Sequence, residues 1–370
     1  MRISPAVAAW AMAVRRNPAL VVLACTMLLS ACWAVAPRSE PRLIVVNSSA
    51  DSGNGTLRYA IESANASSQR SIIDIRLAPS DSIKPVTELP AIEASGLAIH
   101  GHGAWLVGGA CGRSRGRRGC DGLVIKGPSV QVQELNARGF MFDGIAVIGA
   151  SANGVVLSDC HCRDNLDDGI GITAGASGVL VEGCLLEGNG FRSKGKGVLV
   201  FDGSSAVLRG NTIRQNRDGV TVSRRSSVRL LDNRISANFD KGLGVSAASL
   251  TGSGNLITVN GLDDPAMSAL SRDAGGTSRP PNGDGLRVGL GSRVELANTV
   301  ISGNADAGVV VNDDSLLRLS GGRVTDNGSR GVVLHDRASV ELRGVEVRGH
   351  GAGDLLVAEG ATLTRQESAE

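Results

Sequence analysis

The sequence predicts an all-β solenoid: three short strands form a coil, and the coils stack around one shared core. Three observations predict it. Gly is abundant, at 50 of 370 residues, while aromatics are scarce, with five Phe, three Trp and one Tyr. That composition suits many short strands joined by tight turns and disfavours a core built on aromatic anchors. A Gly followed by alternating apolar residues recurs at Gly144, Gly169, Gly197, Gly219, Gly242, Gly285, Gly308 and Gly331, at spacings of 25, 28, 22, 23, 43, 23 and 23. Finally, Asn punctuates the repeats at regular offsets, as at Asn216, Asn233 and Asn238.

From the N-terminus, residues 1–31 read as a lipoprotein-type signal peptide. Arg15 and Arg16 precede the apolar run "PALVVLACTMLLSAC", which is short of the about 20 residues of a membrane span. The run closes on Leu29-Ser30-Ala31-Cys32, which resembles a bacterial lipobox. The resemblance implies lipidation at Cys32, export, and tethering to the membrane of the cell envelope through a lipid anchor. Residues 32–42 read as a linker. Residues 43–119 read as an N-terminal cap with irregular first coils. Within them, Thr56 is a helix N-cap, and Leu57, Ala60, Ile61 and Ala64 form one helical stripe. A short helix there would cover the open first coil, whose end otherwise exposes apolar side chains and strand edges. Cys111 and Cys120 bracket a short loop, and an oxidising compartment permits them a disulfide.

Residues 120–360 read as the regular coils, and 361–370 as a C-terminal tail. In one repeat Val220 and Val222 share a face, as do Val228 and Leu230, with Ile235 inward in the third segment. No single repeat can bury these faces, whereas stacked repeats can. Asn tolerates left-handed backbone and satisfies turn groups, and stacked Asn side chains can bond along the pile, so the Asn positions predict ladders at two corners. This pattern resembles the right-handed parallel β-helix proteins of the pectate-lyase-like superfamily. The segment Val45 to Ser67, through Gly55, Thr56, Leu57, Arg58, Ala60, Ile61, Ala64 and Asn65, resembles the N-terminal segment of CSLREA-type and polymorphic outer-membrane envelope proteins. No segment of aromatic-girdled alternating strands is seen after the coils, so no outer-membrane barrel is expected.

The superfamily resemblance implies that substrates would lie along the outer face of the first strand. Its outward positions are Ala146, Gly171, Leu199, Thr221, Gly244, Arg287, Val310 and Val333. One Arg and no carboxylate is a poor set for acid–base catalysis. Asp143, Asp167 and Asp168, with Arg287, are the catalytic candidates, and Asp143 with Asp168 is the candidate Ca²⁺ pair. The loop between Asn260 and Gly285 is long, and Asp263, Asp264, Arg272, Asp273 and Asp284 are its ligand-binding candidates. Cys160 and Cys184 share a ladder slot, open to a disulfide or to simple packing. In "CHC", His161 points away from Cys160 and Cys162, so core packing is expected over a metal. The net charge of +2 and the lack of stacking aromatics argue against nucleic acid. Basic clusters at Arg113 to Arg118, Arg192 to Lys196 and Arg224-Arg225 suit acidic polymers. The expected function is a non-catalytic envelope scaffold or binding module, for polysaccharide or another envelope component. The alternative is a polysaccharide lyase, hydrolase or epimerase acting on acidic glycans.

Overall fold

Every strand pairing among the described residues is parallel, and each joins one coil to the next. The computed structural model describes residues 40–109, 111, 119–190, 195–261 and 283–367. Residues 1–31, Cys32, most of the linker, and Asp263, Asp264, Arg272 and Asp273 lie outside them. The body from Arg42 onward is a parallel β-solenoid. Each regular coil gives one strand to a ten-stranded sheet and two segments to a 22-stranded sheet, counted among the described residues.

The register follows from the period-2 pattern. Ile170 aligns with Ile145 and Val198, all fully buried, while Gly171 aligns with Ala146 and Leu199 on the outer side. The outward row continues through Thr221, Gly244, Arg287, Val310 and Val333, as the repeat spacing requires. One apolar core runs from Ile44 to Val347. Each buried Val, Leu or Ile stabilises it by about 1.5–3 kcal/mol.

The Asn residues form hydrogen-bonded stacks. The Oδ1 of Asn238 accepts from the Asn216 backbone N–H at 3.1 Å and from its Nδ2 at 3.2 Å. Asn238 Nδ2 in turn donates to Asn260 Oδ1 at 2.9 Å and to the Ile213 carbonyl at 3.3 Å. The stack runs from Asn165 through Asn189 to Asn327, and His350 ends it by accepting the Asn327 N–H on Nδ1. A second stack joins Asn211, Asn233 and Asn255. The left-handed residue of these corners is the one before the Asn, not the Asn itself. Asp164, Gln215, Asp232, Ala237 and Val259 have φ of 54–56°. So the Asn side chain serves hydrogen bonding, and its neighbour makes the turn. Where the second stack lacks Asn, at Thr299 and Gly322, the corner keeps its left-handed residue, with φ of 47° at Asn298 and 62° at Gly321, but strand pairing continues through it, so the two segments run on as single ten-residue strands, Arg293–Ser302 and Leu316–Thr325.

Helix α1 (Leu57–Asn65) closes the first coil with Leu57, Ala60, Ile61 and Ala64 buried. The Thr56 hydroxyl accepts from the Tyr59 N–H at 3.3 Å. Arg58 donates to Asp51 and to the carbonyls of Thr87 and Glu88. Asn65 bonds the Ala91 carbonyl and the N–H groups of Glu93 and Ala94. At the other end, Thr362–Gln366 pairs with Ser339–Arg343. The segment 361–370, expected as a tail, therefore begins with a strand, because Leu363 continues the Leu317 and Val340 row.

Cys111 and Cys120 form a disulfide, with Cα atoms 5.8 Å apart. Cys160 and Cys184 do not pair and remain buried thiols. They occupy one slot on in-register parallel coils, so their side chains point the same way rather than toward each other. Cys184 Sγ instead accepts the Cys160 backbone N–H at 3.4 Å, which extends the Asn stack. Cys162 aligns with Leu186 in the core, while His161 points outward to Glu187 Oε1 at 2.9 Å.

Candidate functional site

The residue before each repeat Gly stands at the corner that leads into the ten-stranded sheet. Down the coils this position holds Asp121, Asp143, Asp168, Lys196, Asp218, Lys241 and Asp284, followed by Ala307 and Arg330. The first carboxylates act as corner ladders. Asp121 Oδ1 accepts the Asp143 N–H at 2.8 Å, Asp143 Oδ1 the Asp168 N–H at 3.0 Å, and Asp168 Oδ1 the Lys196 N–H at 2.6 Å. Further along the column, Lys241 and Asp284 are each ion-paired. Lys241 Nζ lies 3.1 Å from Asp218 Oδ2 and 3.6 Å from Asp240. Arg287 holds Asp284 Oδ2 with Nε at 2.8 Å and Nη2 at 2.5 Å.

Two glycines make room for this column on the outer face. A Cβ on Gly171 would lie 2.1 Å from Asp143 Oδ2, and one on Gly244 would lie 3.0 Å from Lys241 Cε. The charged groups of the face thus come from the preceding corner and fold across glycines. The outward row alone, with its single Arg, does not reveal them.

Burial dominates the column's protonation. It pushes Asp168 up to about 7, against the pull of Lys196, and Asp121 up to about 6. Asp143 rises well above the usual carboxylate range through burial and the neighbouring Asp168. Asp284 rises to about 6 through burial even beside Arg287. For Lys241, burial pulls downward, but Asp218 and Asp240 outweigh it and the ammonium is held above its ordinary range.

Asp143, Asp167 and Asp168 bring carboxylate oxygens within 4.8 Å of one another. Ca²⁺ takes about six to eight oxygens, and Asp143 and Asp168 have each committed one to a backbone N–H. The geometry is that of a corner ladder, and it does not by itself make a cation cage. Asp284 sits at the base of the same face as Arg287, so those two predicted residues do meet; the Asp143 group lies several coils away.

A groove of about 590 Å³ crosses the middle strands on another side of the solenoid. Among its lining residues is Gly252, which stands in register with the interior Leu230 and Leu296. It packs closely on the preceding coil, so that a Cβ would lie 2.4 Å from the Leu230 carbonyl oxygen. Arg318 bridges Glu295 at 2.8 Å and Glu341 at 3.0 Å across three coils, and Arg343 also pairs with Glu341. These pairs, Arg343 foremost, hold Glu341 below the usual carboxylate range. Arg229 also lines the groove and has no carboxylate partner among the described residues. The sequence singled out none of these residues. Their one signal is the alternation of Arg and Glu at a single register position, Glu295, Arg318 and Glu341.

The structure is similar to the catalytic unit of a thermostable GH87 α-1,3-glucanase from Streptomyces thermodiastaticus strain HF3-3, with a TM-score of 0.63 at 14% identity over 89% of this chain and 68% of that one. It is also similar to the periplasmic alginate epimerase AlgG in a mutant form, with a TM-score of 0.52 at 13% identity over 91% of this chain and 87% of that one. Pectate lyase Pel9A gives a TM-score of 0.50 at 14% identity over 85% of this chain and 80% of that one. At such identities the likeness is one of fold. No curated protein matches the chain in sequence. The family described as right handed beta helix region matches residues 121–276 and 272–368. With its parallel coils, continuous core and corner ladders, this chain belongs to the right-handed β-helix family.

Proposed function

We propose that this chain is a bacterial envelope lipoprotein, tethered at Cys32, that binds an acidic polysaccharide along its solenoid without cleaving it. The observation that carries this reading is the separation of two properties. The open groove offers Arg229, which has no carboxylate partner among the described residues, and a rank of ion-paired side chains, and Glu341 there is held ionised. The carboxylates with raised proton affinity lie elsewhere, in the column, where Asp168 is 2% exposed and Asp284 is fully buried. A general acid must reach the bond it protonates, and an ionised, paired Glu is a poor one. The Cys111–Cys120 disulfide is consistent with export.

A second reading is acid–base chemistry on an acidic glycan at Asp143, Asp167 and Asp168. It is favoured by the value of about 7 at Asp168, suited to proton transfer near neutral pH. The similar structures, an α-1,3-glucanase, an alginate epimerase and a pectate lyase, are polysaccharide enzymes by name. The test is to incubate the full-length chain with alginate, pectate, α-1,3-glucan and lipopolysaccharide, with and without Ca²⁺. Retention on at least one immobilised polymer, with no new reducing ends and no unsaturated uronate absorbance, is the expected result. Turnover abolished by Asp168→Asn would establish the second reading instead.

A further inference from the structure

On the outer surface of the first coils, three metal-ligating side chains converge that belong to neither the column nor the groove. Asp74 lies on strand Ser71–Ile75 and His100 on the next coil's strand Ala98–His100, directly in register. His102 follows in the turn. Gly101 stands so close to the following coil that a Cβ would lie 2.4 Å from the Glu134 carbonyl oxygen, and Gly103 has φ of +80°. This tight turn carries the second imidazole back over the carboxylate. His102 Nε2 lies 2.7 Å from Asp74 Oδ1, and Asp74, His100 and His102 each offer a ligand atom within 4.8 Å of the others.

We propose that Asp74, His100 and His102 form a binding site for a divalent transition metal, Zn²⁺ being the best fit. Two imidazoles and one carboxylate are a donor set that suits Zn²⁺ and not the oxygen-seeking Ca²⁺. The His100 ring has no hydrogen-bond partner among the described residues, so its nitrogens are free to ligate. A metal bound there replaces the direct contact between His102 Nε2 and Asp74 Oδ1. Arg76 donates to the other Asp74 oxygen at 2.7 Å, which orients the carboxylate as outer partners of metal ligands do. The His102 side chain is 56% exposed, so the fourth position opens to water. Bound there, the ion clips two successive coils together just beyond α1.

The test uses the full-length chain stripped of metal by chelation and titrated calorimetrically with Zn²⁺ alone. One equivalent is expected to bind, at least tenfold more weakly in His100→Ala, in His102→Ala and in Asp74→Asn, and unchanged in His335→Ala. Because His100 and His102 are exposed, these variants should keep the fold, which far-ultraviolet circular dichroism checks. Co²⁺ in place of Zn²⁺ should give visible ligand-field absorption that the His variants lose. No stoichiometric binding, binding unchanged in both His variants, or binding lost in Asp168→Asn instead would overturn the assignment.

Discussion

Asn238 shows how much a single corner side chain does. Its Oδ1 satisfies two donors of Asn216, and its Nδ2 satisfies two acceptors, all buried. Replacing it by Ala leaves those groups without partners, and a buried unsatisfied polar group costs about 1–3 kcal/mol. Asn238→Ala should therefore lower stability by about 2–4 kcal/mol, read as a fall in the guanidinium midpoint. Asp168 predicts a pH dependence of definite sign. Its folded value of about 7 lies above the ordinary 3.8, so folding favours its protonated form. That contribution is fully present below pH 3.8 and is lost as pH rises through about 7. Asp121 and Asp284, at about 6, act in the same direction. The melting temperature should fall between pH 5 and pH 8. Asp168→Asn, neutral throughout, should flatten that fall and stabilise the protein at pH 8 by on the order of 2 kcal/mol. An unchanged slope in the variant would remove Asp168 from the account.

Helix α1 and the coils were readable from sequence to different depths. The stripe of Leu57, Ala60, Ile61 and Ala64 declares a face, and the structure buries that face. The coils were readable because period 2 leaves one choice of interior: once Val220 and Val222 point inward, Thr221 must point out. The continuous strands through Thr299 and Gly322 were not readable, since the absence of Asn does not say whether pairing stops at a corner or continues through it. Nor was the fate of Cys160 and Cys184, whose slot was clear but whose parallel side-chain directions rule out pairing only when the coils are built. The role of α1 can be tested directly. Leu57→Asp puts a charge in the fully buried seam between helix and first coil, uncovering an open sheet end. The variant should associate, with a rise in hydrodynamic size by light scattering at concentrations where the native chain does not.

Across the full solenoid, function is less legible than fold for a geometric reason. A period identifies which residues share a row, but a groove depends on how rows of neighbouring coils differ in side-chain size, and at this register Gly252 stands between Leu230 and Leu296. The charged column was half visible. Asp143 and Asp168 read as a candidate pair, whereas Lys196, Asp218 and Lys241 join them only once the corner before each Gly is recognised as one line. On the proposed reading, polysaccharide binds at the open groove, while the column's carboxylates are engaged in corner ladders and ion pairs. The most direct test compares polysaccharide retention and turnover for Arg229→Glu and Asp168→Asn beside the unaltered chain. Retention weakened at least tenfold by Arg229→Glu, untouched by Asp168→Asn, and accompanied by no turnover in any sample is the predicted result. Turnover by the unaltered chain that Asp168→Asn abolishes, with retention indifferent to Arg229, would contradict it.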